Sequence, residues 1–414
     1  MTRDQTFIIV GASLAGAKAA ETLRAEGFDG RVVVVGAENE RPYERPPLSK
    51  EYLRGEAGRE KVYVHAADFY AEREIELRLG RVVVSLNLSA NEVVLEDGER
   101  LRYDRLLLAT GAEPHRLAIE GADLDGVLYL RSVQDSDALR QRLDAGGAVV
   151  VVGGGWIGAE VAASARQRGL DVTLVHHGQV VLERVLGSDV GAVYRDLHAD
   201  HGVRMLPGTG VEAFEGDGAV ASVRTTDGSR LDCDFVVVGA GVQPRTPLAA
   251  QAGLAVENGI VVDEYLRTSA AGVFAAGDVA NAQHPLYDRR VRVEHWANAL
   301  NQGPAAARSM LGFASAYDRV PYFFSDQYDV GMEYTGFAPS WDRLVFRGDP
   351  ASREFVAFWL DRDRVVAGMN VNVWDVAETI ARLVRGRAVV DHRRLADPDV
   401  PLDELAALAE SSAA

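Results

Sequence analysis

The first strong pattern along the chain is an apolar run, Phe7-Ile-Ile-Val10, which stops at Gly11 and gives way near Leu14 to apolar positions at helical spacing through Leu23. A short unbroken run predicts a buried strand, and the change of period predicts a tight turn into a helix. A second apolar run, Val32–Val35, follows and is closed by Glu38. The next stretch, Arg41-Pro-Tyr-Glu-Arg-Pro-Pro-Leu-Ser-Lys50, carries prolines that exclude a regular helix or central strand through Pro47. It reads as a shaped loop leading into a short helix at Ser49–Leu53. Val82–Leu86 and Glu92–Leu95, with a turn at Glu96-Asp-Gly-Glu99, predict a meander rather than a crossover. Arg105-Leu-Leu-Leu-Ala-Thr-Gly-Ala-Glu-Pro114 then returns the chain to the first sheet.

From Ala148 the layout starts again. Val149-Val-Val-Val-Gly-Gly-Gly-Trp-Ile-Gly158-Ala-Glu160 reads as strand, turn and helix, and a second strand, Val172–Val175, ends at His176-His177. Phe235-Val-Val-Val-Gly-Ala-Gly-Val-Gln-Pro244 parallels the stretch that closes the first half. The opening glycines, Gly11 and Gly153, lie farther apart than the closing prolines, Pro114 and Pro244, by about the length of the Arg41–Leu53 loop. That loop is therefore an addition to the first unit, and additions on a common scaffold often carry function. Beyond Pro321 the pattern changes to strands at Arg343–Arg347, Glu354–Leu360 and Val365–Asn370 and a helix at Val373–Arg385. The predicted fold class is α/β, with two Rossmann-like dinucleotide-binding domains of the glutathione-reductase kind and a C-terminal α+β domain. The expected boundaries are 1–115 with 245–320 for the first domain, 116–244 for the second and 321–414 for the third.

The turns are where chemistry enters. Gly11 allows a bend that a side chain would obstruct, Gly16 lets the helix pack on the strand, and the helix N-terminus offers unpaired N–H groups to a pyrophosphate. Ser13 stands at the place of the usual middle glycine, and Glu38 stands where an acid accepts hydrogen bonds from a ribose. In the second unit Gly153, Gly155 and Gly158 fill all three glycine places. A lone glycine-rich turn is equally an ordinary strand-to-helix connection; the repeat and the spacing to Glu38 favour the dinucleotide reading. Two such units imply two dinucleotides, for which FAD and a nicotinamide nucleotide are the economical pair. Asp278, in Gly272-Val-Phe-Ala-Ala-Gly-Asp-Val-Ala280, ends a strand where it can accept a flavin ribityl hydroxyl or simply cap a helix.

Composition narrows the choices. The formal charge of −17 disfavours nonspecific binding to nucleic acid or an anionic membrane. No apolar run reaches membrane-spanning length, no apolar leader precedes the first strand, and a cytoplasmic location is expected. The single cysteine, Cys233, cannot form an intrachain disulfide and reads as a buried or edge thiol.

In order, Gly-Ala-Ser-Leu-Ala-Gly, the proline-rich loop ending in Lys50, Ala-Thr-Gly, Gly-Gly-Gly-Trp-Ile-Gly-Ala-Glu, Ala-Ala-Gly-Asp-Val-Ala, Glu-His-Trp-Ala-Asn-Ala and Phe-Phe-Ser-Asp-Gln resemble the single-component flavoprotein ferredoxin reductases of oxygenase systems. These belong to the pyridine nucleotide-disulfide oxidoreductases, and the resemblance covers nearly the whole chain. It implies FAD contacts at Gly11, Ser13, Leu14, Ala15, Gly16, Glu38, Arg45, Lys50, Val82, Ala109, Thr110, Gly111, Arg131, Asp278, Trp296 and Phe324. It places the nicotinamide nucleotide, NADH or NADPH, at Gly153, Gly154, Gly155, Ile157, Gly158, Glu160, His176 and Gly241. The implied reaction is hydride transfer from nicotinamide C4 to flavin N5, then single electrons to a [2Fe–2S] ferredoxin serving a cytochrome P450 or Rieske-type oxygenase. No metal is held by the protein, and a monomer or weak dimer is expected. Lys50 and Glu160 are the implied catalytic pair. Phe324 occupies a place that is often tryptophan in relatives, and it keeps the apolar cover without the indole N–H.

His176-His177 departs from the family, in which an acid usually favours NADH; the reading leans to NADH with relaxed discrimination, since protonated histidines could bind a 2′-phosphate. Arg289, Arg290 and Arg292 offer a basic patch for an acidic ferredoxin, or a charge run bridged to Asp288 and Glu294. A disulfide reductase would need cysteines near the first loop, where Pro46, Pro47 and Ser49 stand. A rubredoxin or monodehydroascorbate-type reductase, or a redox-sensing interaction protein like the apoptosis-inducing factor, shares the architecture.

Overall fold

The computed structural model describes residues 4–387 and 389–413. The chain divides into two compact units: residues up to Glu44 with Arg59–Glu113 and Gln243–Pro321, and Arg45–Gly58 with Pro114–Val242 and the chain from Tyr322 onward.

The first unit is built on a five-stranded parallel sheet in the order Val273–Ala275, Arg105–Leu108, Thr6–Val10, Arg31–Val35 and Ile75–Arg78. Its central strands are unbroken apolar runs because helices and the meander cover both faces. Ile8, Ile9, Val32–Val34 and Leu106–Leu108 are fully buried. The Leu14–Ala25 helix lies against the Trp296–Met310 helix, and the approach is close because Gly303 faces the Ala15 carbonyl. The predicted meander is present as three antiparallel strands, Val83–Asn87, Glu92–Leu95 and Arg100–Arg102.

The second unit repeats the design. Its parallel sheet runs Arg204–Leu206, Asp171–Val175, Ala148–Val152, Phe235–Val238, Val127–Tyr129. It also contains a five-stranded antiparallel sheet in the order Tyr322–Gln327, Val330–Gly336, Arg364–Val371, Glu354–Asp361, Arg343–Asp349. Trp359, fully buried in that sheet, donates its indole N–H to the Leu186 carbonyl at 3.2 Å.

Several elements differ from expectation. The short helix after the loop starts later than expected, at Glu51–Arg54 rather than Ser49–Leu53, because Pro46–Ser49 forms a separate 3₁₀ turn and the backbone breaks at Lys50. The prolines sit at the first positions of the 3₁₀ turn, where their missing N–H costs nothing. The C-terminal helix begins at Ala377 instead of Val373, because Asn372 and Asp375 adopt positive φ in the turn before it. The strands Tyr322–Gln327 and Val330–Gly336 and the helices His392–Ala396 and Leu402–Ala413 were not legible from periodicity. Cys233 is buried, and burial pushes its thiol up to about 12, as suits an inert side chain. Among the described residues no helix is long and apolar enough to cross a membrane, and no group of metal ligands is present.

Candidate functional site

In the first unit the Thr6–Val10 strand ends at Gly11, whose N–H donates to the Val35 carbonyl at 2.8 Å. Gly11 has φ +123°, and a Cβ there would lie 2.0 Å from the Ala109 carbonyl oxygen. A Cβ on Gly16 would lie 2.0 Å from the Gly11 carbonyl oxygen, so the second glycine sets the distance between helix and strand. Leu14, Ala15 and Gly16 form the first, buried turn of the helix. Ser13 stands at its N-cap, a position where serine ordinarily caps, yet makes no capping bond. By contrast Ser132 caps the Val133–Ala145 helix with a full capping box. The N–H groups at the Leu14 turn are thus left to a ligand, as a phosphate-binding turn requires.

Glu38 follows the Arg31–Val35 strand and accepts a hydrogen bond from the Tyr43 hydroxyl. Tyr43, buried at the head of the proline-rich loop, is a partner that sequence reasoning missed. Ala109, Thr110 and Gly111 follow the Arg105–Leu108 strand; the Thr110 hydroxyl donates to the Arg245 carbonyl at 3.0 Å, and the Arg245 N–H to the Gly111 carbonyl at 2.9 Å. Asp278 does not cap a helix: it lies inside a single 3₁₀ turn, Gly277–Val279. Trp296 opens the Trp296–Met310 helix, and its indole bonds the Glu44 carboxyl, which burial nevertheless raises. Val82 is exposed just ahead of the Val83–Asn87 strand.

The second unit reproduces this turn. Gly153 donates to the Val175 carbonyl at 2.8 Å, and a Cβ on Gly158 would lie 1.9 Å from the Gly153 carbonyl oxygen. The Trp156–Gln167 helix begins at Gly155 without a side-chain cap. A Cβ on Gly155 or Gly241 would enter open space, and Ile157 is exposed beside them. These residues fit a pyrophosphate over the turn. His176 does not fit the part of a cation: its ring is 4% exposed, packed under Gly154, and burial lowers its pKa, so it is neutral at neutral pH. The exposed histidine is His177.

The same unit holds the proline-rich loop from Arg45 onward. The Arg45 guanidinium donates to the Arg131 carbonyl, which brings these two expected residues together. Lys50 and Glu160 are 6% and 5% exposed, and their charged atoms are 2.8 Å apart. Glu160 Oε2 also accepts from the Ser49 hydroxyl at 2.5 Å, and Oε1 from the Ser325 hydroxyl at 2.7 Å. Three donors converge on a carboxylate, the arrangement that lets an ion pair persist out of water. Phe324 is half-buried, with the Lys50 ammonium 5.7 Å from its ring centroid. The apposition of Ser49 and Ser325 with Glu160 was not foreseen, since neither serine carries a sequence signal of its own.

The arginine run is not a uniform patch. Arg290 donates to the Val262 carbonyl at 2.8 Å, and Arg292 pairs with Glu294 at 2.5 Å while its side chain is 11% exposed. Arg289 is exposed.

Residues 5–303 match the pyridine nucleotide-disulphide oxidoreductase family, and residues 322–406 match a reductase C-terminal domain. The chain is 39% identical to putidaredoxin reductase of Pseudomonas putida, over 99% of each chain. It is 42% identical to the ferredoxin–NAD(+) reductase component of the anthranilate 1,2-dioxygenase system of Burkholderia cepacia, over 96% of this chain and 98% of that one. The crystal structure of a covalent putidaredoxin reductase–putidaredoxin complex superposes with a TM-score of 0.96 at 39% identity, covering 99% of this chain and 100% of that chain. With likeness of this extent over both units, the chain belongs to the pyridine nucleotide-disulphide oxidoreductases, among the ferredoxin reductases of oxygenase systems.

Proposed function

We propose that this oxidoreductase binds FAD and takes electrons from NADH for delivery to a [2Fe–2S] ferredoxin of an oxygenase system. The observation that carries the reading is the buried ion pair between Lys50, in the proline-rich loop, and Glu160, on the helix that follows an uncapped nucleotide turn. The chemistry a bound flavin supplies is hydride acceptance from a reduced nicotinamide and single-electron delivery to the ferredoxin.

The protein's own residues do the rest. The turns at Gly11–Gly16 and Gly153–Gly158 each bind a pyrophosphate through helix N–H groups. Glu38, with one oxygen already held by Tyr43, accepts from a ribose hydroxyl. Lys50 supplies positive charge where the reduced ring gains negative charge, and Glu160 fixes the ammonium in place. Arg45, Thr110, Arg131, Asp278, Trp296 and Phe324 complete the FAD contacts, and Gly241 and Ile157 border the nicotinamide nucleotide. On this reading 1–115 with 245–320 is the FAD domain, 116–244 the nicotinamide nucleotide domain and 321–414 the C-terminal domain.

His176, neutral and buried, gives a 2′-phosphate no charge, which supports preference for NADH. Arg289, Arg290 and Arg292 form the run that we assign to ferredoxin docking; Arg289 is its exposed member, while Arg292 is paired with Glu294. The protein works in the cytoplasm.

The deciding experiment is anaerobic stopped-flow reduction of the purified protein, following loss of visible flavin absorbance with NADH and with NADPH. Rapid bleaching by NADH, with NADPH at least about tenfold weaker, is expected. Absence of bleaching by either nucleotide overturns the reading.

A further inference from the structure

The Lys50–Glu160 pair is the end of a longer chain. Ser325 Oγ, which donates to Glu160, accepts from Gln327 Nε2 at 3.4 Å. With the amide nitrogen so used, Gln327 Oε1 faces His198 Nε2 at 2.9 Å. An amide oxygen only accepts, so Nε2 of His198 carries the proton and Nδ1 is the acceptor. Nδ1 then receives the Tyr328 hydroxyl at 3.2 Å. Every hydroxyl and N–H in this series points one way, from Tyr328 through His198, Gln327 and Ser325 to the carboxylate.

Other features show that the chain is built, not incidental. Ser325, Gln327 and His198 are buried, yet each is partnered. Tyr328 holds φ +58°, a conformation that costs a non-glycine residue energy, and its ring stacks on His201 with centroids 3.7 Å apart. Burial lowers the His198 pKa to about 4, which keeps the ring in the neutral form the series needs.

We infer that His198 is a positioning residue for hydride transfer: through Gln327 and Ser325 it fixes the Glu160 carboxylate, and thereby the Lys50 ammonium. This rests on the reading of the Lys50–Glu160 pair proposed above. An amide in the middle makes the series a poor proton conductor, so its role is orientation.

The test is a double-mutant cycle read by hydride-transfer rate, by the midpoint potential of the bound flavin and by melting temperature. His198→Phe keeps the ring shape and removes both nitrogens; Gln327→Met cuts the same series from the strand side if the first variant folds poorly. Each is expected to slow hydride transfer about tenfold with the KM for NADH changed less than about twofold, and to shift the midpoint potential. In a Glu160→Gln background neither adds a further change in rate or potential. His198→Gln, whose amide nitrogen reaches the Nε2 position, restores both. Equal effects in the two backgrounds, or none in the wild type, overturn the inference while leaving the proposed function standing. If Glu160→Gln alone moves neither rate nor potential, the placement of the pair in hydride transfer falls and the inference with it; a melting cycle still coupling His198 to Glu160 would then mark a structural network.

Discussion

At the scale of single residues the weight rests on Glu160, which accepts from Ser49, Lys50 and Ser325 in a buried setting. Breaking a buried pair is costly because it strands a charge, whereas removing both charges can be nearly neutral. Lys50→Met is therefore expected to destabilise the protein by about 3–5 kcal/mol and to slow hydride transfer about a hundredfold. Lys50→Met with Glu160→Leu should recover much of the stability in urea unfolding and none of the rate. Recovery of both would show that the pair serves only the fold. The glycines give a second test: Gly158→Ala places a methyl 1.9 Å from the Gly153 carbonyl oxygen and forces the helix off the strand. The KM for NADH should rise at least about tenfold, the cost of a displaced binding element, with flavin content unchanged.

The elements that matter most are the Leu14–Ala25 and Trp156–Gln167 helices, which open the two nucleotide turns without a side-chain cap. Ser13 could cap and does not, so the Leu14–Ala25 helix keeps its N–H groups and partial positive charge for a ligand at a cost in its own stability. Ser13→Asp is expected to raise the melting temperature of the flavin-free protein, since an acid there suits the helix dipole, while weakening FAD affinity at least about tenfold by repelling the pyrophosphate. Titration of the flavin-free protein with FAD, beside melting curves with and without it, measures both effects. These turns were legible in the sequence because strand, glycine and helix are local signals. The strand Tyr322–Gln327 was not, for a physical reason: Ser325 and Gln327 face inward with the core residues, so its inner face does not look apolar. What hid the strand is the buried polar series that ends on Glu160. The start of the C-terminal helix was misplaced because the positive φ of Asn372 and Asp375 carries no hydropathy signature. At the active pair, Lys50 and Glu160 were visible only through family resemblance, since nothing local announces that residues so far apart in sequence meet.

For the whole molecule the balance of charge and protons decides stability. A formal charge of −17 means that an acidic partner meets repulsion except near a local cation such as Arg289. Reversal of Arg289 should lower the rate of ferredoxin reduction at low salt and leave it nearly unchanged at high salt, where screening removes the steering term. Acid exposes a second dependence. Burial holds His198 and His295 to about 4, well below the ordinary histidine value of 6.5. Below pH 6.5 the unfolded chain takes up protons on these rings and the folded one does not until near pH 4. Protons bound preferentially by the unfolded chain favour unfolding, so stability falls as pH drops through this window. Each histidine contributes up to about 1.4 kcal/mol per pH unit, and no such cost exists above the window. Urea unfolding across the window should show this loss begin before most carboxylates titrate, and His198→Gln should reduce its slope by about one proton. An unchanged slope in that variant would mean that His198 already carries a proton in the folded protein, and the one-way series of donors ending on Glu160 would lose the neutral ring it depends on.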